Sequence, residues 1–182
     1  MSWIDEIKAS DIASDGLRLI AETCGISDAI ILGTKMAGID LYIPAQGMKL
    51  IKFKYVKDHY NGNNLSSLSV SVDLPRSKIE ELIKNGIPDI NKDEILCNKI
   101  MKIVSQRCGY MVAERLIVNF PGERILIPKN SFMDFKKKYI EKNFNGTNII
   151  ELALLLEVSE IFVRKTIAEM YYKKQMVSLF DA

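Results

Sequence analysis

The stretch GIDLYIP at residues 38–44 returns as GERILIP at 122–128, and the recurrence at a spacing of 84 runs outward in both directions without a gap. Upstream, Cys24-Gly25 becomes Cys108-Gly109; downstream, Tyr55 becomes Tyr139 and NGNNL from Asn61 becomes NGTNI from Asn145. A fixed internal period sets the number of structural units before any local propensity is weighed. A β-branched run led by glycine and closed by proline is a strand signal, since proline cannot donate to a ladder. Two copies of one small unit are expected, each with one short strand.

Helical patterns flank each strand. Before it come residues 11–24 and 26–36 in the first copy and 93–107 and 109–119 in the second. Ile12, Leu19 and Ile20 are expected on one buried face, as are Leu96, Ile103 and Val104. Gly25 and Gly109 fall where a helix stops, because glycine accepts a left-handed backbone. After the strand a basic helix spans 47–60 and 131–144. Its apolar positions Met48, Ile51, Tyr55 and Phe132, Phe135, Tyr139 share a face and read as core rather than as a stacking surface. Asn61-Gly62 and Asn145-Gly146 then break the helix. KNGIPDINKD at 84–93 reads as the linker between copies.

The segment ELALLLEVSEIFVRKTI from Glu151 has helix-turn-helix spacing. Leu152 and Ala153 face the second helix, Val158 plugs the turn, and Val163 and Ile167 bury the inner face of the recognition helix. Ser159 is placed to cap that helix or to bond a phosphate. Glu160, Ile161, Arg164 and Lys165 remain outside. In the first copy the same frame puts Leu68, Ser69, Leu74, Ile79 and Ile83 inside, with Pro75 in the first turn of the recognition helix. Arg76, Ser77 and Lys78 lie outside, followed by Glu80 and Glu81, whose carboxylates repel a phosphate backbone. The turn position that usually carries glycine is Asp73 in one copy and Glu157 in the other, at a conformational cost. The run Leu154-Leu155-Leu156 places apolar groups where polar ones are usual, so this module is expected to pack against something.

Composition narrows the function classes. With 48% hydrophobic and 26% charged residues, the chain has the balance of a globular protein able to bury a core. The N-terminal residues lack the apolar stretch of a signal peptide, and no run is long enough to span a membrane, so a cytoplasmic protein with no membrane partner is expected. Cys24, Cys97 and Cys108 show neither zinc spacing nor a disulfide framework, and His59 stands alone in a Lys-rich stretch. No nucleophile with a base, no phosphate loop and no metal spacing can be read. No enzyme, cofactor or metal is therefore expected. The net charge is only +2, but residues 1–16 carry −3 and residues 100–175 carry +5, which suits local phosphate contact rather than indiscriminate coating.

These motifs together resemble the Mor transcription-activator family, regulators of middle and late genes in Mu-like phages and their bacterial relatives. The likeness rests on the glycine-led strands Gly38 to Pro44 and Gly122 to Pro128, the basic helix after each, the NGxN loops, and the frame from Glu151 to Val163. Family members are homodimers with N-terminal dimerisation helices, a pair of antiparallel strands between subunits, and C-terminal helix-turn-helix domains on a dyad-symmetric site. The resemblance implies a mainly α chain of two tandem Mor-like repeats. The first is 1–86, with helices and strand at 11–44 and helix-turn-helix at 47–84; the second is 87–182, with helices and strand at 93–128 and helix-turn-helix at 131–172. The strands would pair antiparallel within one polypeptide, giving a covalent pseudo-dimer. Its partner would be double-stranded DNA, met by Arg76, Ser77 and Lys78 on one half-site and by Ser159, Glu160, Arg164 and Lys165 on the other. Recognition helices in successive major grooves lie about 34 Å apart. RNA polymerase or another regulator is a further partner to be considered, and self-association beyond the pseudo-dimer stays open. So does a second reading from the acidic pair and the leucine run: a protein-interaction module, such as an anti-repressor, polymerase adaptor or scaffold, with a degenerate helix-turn-helix.

Overall fold

Side-chain caps and positive-φ residues decide where the helices of this chain begin and end. In the computed structural model, which describes residues 3–180, Ser14 Oγ accepts from the Leu17 amide and α1 runs Asp15–Thr23. Gly25, at φ 104°, turns the chain into α2, Ile26–Lys35. β1 (Asp40–Tyr42), α3 (Ala45–His59), α4 (Leu65–Val72) and α5 (Arg76–Lys84) follow. Next come α6 (Lys92–Leu96), α7 (Lys99–Cys108), α8 (Tyr110–Asn119) and β2 (Arg124–Leu126), and then α9 (Met133–Asn143), α10 (Ile149–Leu155) and α11 (Glu160–Phe180). Short 3-10 turns at Trp3–Glu6 and Ala9–Asp11 precede α1. No helix among the described residues is long and apolar enough to cross a membrane.

The fold is therefore mainly helical, with one small antiparallel sheet in which Leu41 faces Ile125. Those two side chains are buried, whereas Asp40, Tyr42, Arg124 and Leu126 point outward, the alternation expected of a strand with one covered face. The Ile127 amide donates to the Ile39 carbonyl at 2.9 Å and continues the ladder. Arg124 and Asp40 pair across it at 3.4 Å.

The chain forms two compact units that do not follow its linear order. Residues up to Gly38 join those from Pro128 onward, while Ile39–Ile127 make the other. In the first unit α1 and α2 thus accompany α9, α10 and α11; in the second α3, α4 and α5 accompany α6, α7, α8 and the sheet. Each unit draws on segments from both sides of residue 86. The expected linker at 84–93 lies inside the second unit, and the chain passes between units next to the strands, at Gly38–Ile39 and Ile127–Pro128. The polar, glycine-containing stretch there forms the connection between α5 and α6.

Close packing explains which segments join. In the first unit a Cβ on Gly33 of α2 would sit 2.6 Å from the Phe132 ring at the start of α9, a distance no real contact tolerates. In the second unit the hole is on the other partner. Gly47 of α3 lies under the Ile95 carbonyl and Ile117 of α8, 2.6 and 2.9 Å from where a Cβ would be. Residues 33 and 117 are one period of 84 apart, and Phe132 is one period from Met48, the neighbour of Gly47, so the glycine lies on α2 in one unit and on α3 in the other. Trp3, buried, packs on Phe132 and Phe135 with ring centroids 6.3 and 6.2 Å away, and Lys136 Nζ lies 4.8 Å over its ring. The second unit has a cluster of Val56, Leu68, Val72 and Ile79, with Leu65, Leu74 and Ile83 against it.

Several local expectations need correction. The helix expected over 93–107 is two, because Cys97 adopts φ 59° and Asn98 caps a new helix through a 2.7 Å bond from the Met101 amide. The Asn98 side chain also donates to the Tyr42 carbonyl, which fixes the break against β1. Leu19 is 49% exposed, and Leu17, Ile20 and Ala21 form the buried face of α1 instead. Ile12 is buried but lies before that helix. Tyr55 is exposed and stacks on His59 at 4.0 Å, leaving Val56 as the core residue of that turn. Leu156 is fully buried, so the exposed part of the leucine run is Leu154 and Leu155.

Candidate nucleic-acid interface

Two pairs of packed helices joined by a short turn stand out, α4–α5 in one unit and α10–α11 in the other. Each is delivered by the same asparagine loop. The Asn61 amide donates to Asn64 Oδ1 at 3.1 Å, and the Asn64 side chain returns to the His59 carbonyl at 2.8 Å. The Asn145 amide donates to Asn148 Oδ1 at 3.0 Å, and the Asn148 side chain returns to the Asn143 carbonyl, also at 3.0 Å. Side chains that mimic backbone turns explain why the loop is written with asparagine and glycine.

The turns match as closely. Asp73 and Glu157 both adopt a left-handed backbone, φ 49° and 52°, and amide-to-carbonyl bonds close the turn from Leu74 to Ser69 and from Val158 to Ala153 at 3.2 and 3.0 Å. A charged residue in that conformation has a partner nearby. Lys52 Nζ donates to the Asp73 carbonyl at 3.2 Å with the Asp73 carboxylate 3.7 Å away, and one period later Lys136 feels the Glu157 charge. Burial pushes the Lys136 ammonium below the ordinary lysine range, and Glu157 partly opposes that shift. The left-handed cost remains, about 1–2 kcal/mol for a residue with a Cβ. We expect Glu157→Gly to raise the stability of the first unit by roughly 0.5–1 kcal/mol, read as a higher denaturation midpoint; a lowered midpoint means that the Lys136 interaction outweighs the strain.

Beneath each surface the residues expected inside are covered in whole or in part. Leu152, Ala153, Val163 and Ile167 are buried and Val158 half-buried; in the other element Leu68 and Ile79 are buried, with Ser69, Leu74 and Ile83 half-buried. Ser159 Oγ accepts from the Phe162 amide at 3.2 Å and caps α11. Pro75 sits at the equivalent cap of α5, one residue before the helix rather than in its first turn.

The outward faces differ in charge chemistry. On α5, Arg76 Nε is 2.9 Å from Glu80 and Lys78 Nζ is 2.7 Å from Glu81, so each cation is engaged by an acid of its own helix, with Ser77 exposed between them. On α11, Ser159, Glu160, Arg164 and Lys165 are all exposed. Arg164 meets Glu160 only at 3.5 Å, and Lys165 has no ion pair among the described residues. Exposed pairs of this kind are weak, about 0–1 kcal/mol, and yield to a phosphate. Lys137 reaches Glu169 at 3.2 Å and ties α9 to α11. Composition had flagged neither this strut nor the role of Lys52 and Lys136, since their significance depends on contacts between helices. No group of three or more His, Cys, Asp or Glu side chains able to hold a metal occurs among the described residues.

A model of the Mor transcription activator family matches residues 77–178, which is more than half of the chain and runs from α5 into α11. Neither a curated protein nor a solved structure matches the chain. The matched span contains the second strand, the asparagine loop from Asn145 and the α10–α11 element with its exposed cations, and on that basis the chain belongs to the Mor transcription activator family.

Proposed function

We propose that this protein is a sequence-specific DNA-binding regulator of transcription that acts as a covalent pseudo-dimer, with tandem repeats at 1–86 and 87–182. The observation that carries this reading is the recurrence, 84 residues apart, of the left-handed turn at Asp73 and Glu157 with its closing bond and its asparagine loop. Two helices packed by chance share a crossing, but not a matched set of strained residues and side-chain turns. The antiparallel pairing of β1 with β2 supports the same reading, standing where a homodimer would pair strands between subunits. A regulator of this kind acts in the cytoplasm, where DNA and RNA polymerase are its partners.

The second element, with Ser159, Glu160, Arg164 and Lys165, supplies the stronger reader, and Arg76, Ser77 and Lys78 the weaker. Unlike readers suit a site with unlike halves, because phosphate contacts set register while a few side chains read base edges. Purified protein is expected to retain a defined set of genomic fragments at low salt and to release them at high salt, with a slope of about −0.9 per phosphate contacted. Sequencing what is retained at two salt concentrations checks this. Absence of enrichment at both would overturn the DNA-binding reading.

A further inference from the structure

Ile161 is 78% exposed, the second residue of α11, and out of place on a face otherwise built for phosphates. Isolated apolar groups on a surface are ordinary, so exposure alone assigns nothing. Position does more. Ile161, Arg164, Lys165 and Ala168 are spaced i, i+3, i+4 and i+7 and are all exposed, while Val163, Thr166 and Ile167 turn inward. The isoleucine thus leads the same helical stripe that carries both cations, at the end of the helix where a recognition helix meets base edges. The fold does not demand an apolar group there: one period earlier the matched residue is Ser77, exposed on α5.

We propose that Ile161 is a specificity residue that reads the C5-methyl group of a thymine in the major groove, and that Ser77 makes the other reader blind to that methyl. The proposal rests on the DNA-binding reading above. Among the base edges of the major groove, only thymine offers an apolar group, and an aliphatic side chain with no hydrogen-bonding atom can distinguish it from cytosine only through that group. Arg164 and Lys165, one turn further along, hold the helix end against the backbone while Ile161 makes the contact. The resulting preference falls within the half-site of the second reader.

The experiment uses the intact chain and a site recovered by fragment selection. Each thymine in turn is replaced by uracil, which removes the methyl and leaves every hydrogen-bonding group, and affinity is measured for the native protein, Ile161→Ser and Ile161→Val. At one thymine the native protein should lose affinity roughly three- to fivefold, as expected for one methyl returned to water. Ile161→Val should keep most of that sensitivity, whereas Ile161→Ser should bind thymine and uracil alike. If every thymine tolerates the change, or if the sensitive one stays sensitive in Ile161→Ser, the assignment is overturned while DNA binding itself stands. Failure to retain any fragment overturns both. Because the side chain is exposed, all three proteins should unfold at the same midpoint, so an affinity difference reports on contact and not on folding.

Discussion

Trp3→Ala is expected to destabilise the unit that carries the α10–α11 element by about 3–5 kcal/mol, the usual range for truncating a buried aromatic. The side chain is 4% exposed and packs on Phe132 and Phe135, while its face receives Lys136 at 4.8 Å. Removing it leaves a void beside the start of α9, where Gly33 has already brought α2 in as closely as the ring of Phe132 allows. The backbone cannot close further, so the cavity persists. Hydrogen exchange would localise the effect, with protection falling in α1, α2 and α9–α11 and holding in α3–α8. DNA affinity should fall with it, although residue 3 lies far in sequence from every proposed contact. Unchanged protection in α9–α11 would refute the packing account.

The second large effect concerns binding. Arg164→Ala combined with Lys165→Ala should cost about 2–4 kcal/mol in affinity for the selected site, roughly 30- to 1,000-fold, and lower the steepness of the salt dependence by about one to two. Both side chains are exposed and neither is held by a buried partner, so stability should move by no more than about 0.5 kcal/mol. The matched pair Arg76→Ala and Lys78→Ala should weaken binding less, since the carboxylates of Glu80 and Glu81 beside those cations repel the phosphate backbone and already limit what the cations contribute. Equal losses from the two pairs would mean that the readers are equivalent, and full affinity in the Arg164 and Lys165 variant would remove α11 from the interface. Binding is best measured at two salt concentrations, since charge removal and base reading separate only in the slope.

Much of this architecture is legible in the residues alone. The glycine-led strands, the asparagine loops and the spacing Leu152, Ala153, Val158, Val163 each state a local geometry that the chain adopts. What stayed hidden depends on which segments meet. Recurrence says that 26–36 resembles 109–119; it does not say that α2 packs on Phe132 or that α8 fills the hole at Gly47. Leu19 and Tyr55 fit an apolar periodicity and still face solvent, because a face is buried only where another element covers it. The break after Leu96 had a visible signal in Asn98, a good capping residue, but the apolar pattern ran through it and left no reason to stop. Spacing alone places Ile161 outside, and only the helix puts it on one exposed stripe with Arg164, Lys165 and Ala168.

The exchange of segments between units also sets an order of events during synthesis. Everything required by Ile39–Ile127 has left the ribosome once residue 127 is out, so the inner unit can close while the chain is still growing. The first 38 residues cannot do the same. They emerge before the inner unit, yet their packing partners Phe132 and Phe135 at the start of α9 emerge after it, and a sequence separation of 129 residues, from 3 to 132, must be closed before Trp3 meets Phe132. The segment through α1 and α2, with the sides of Trp3 and Gly33 that meet the start of α9 uncovered, therefore waits until the inner unit has been made. A segment made after the inner unit completes one made before it.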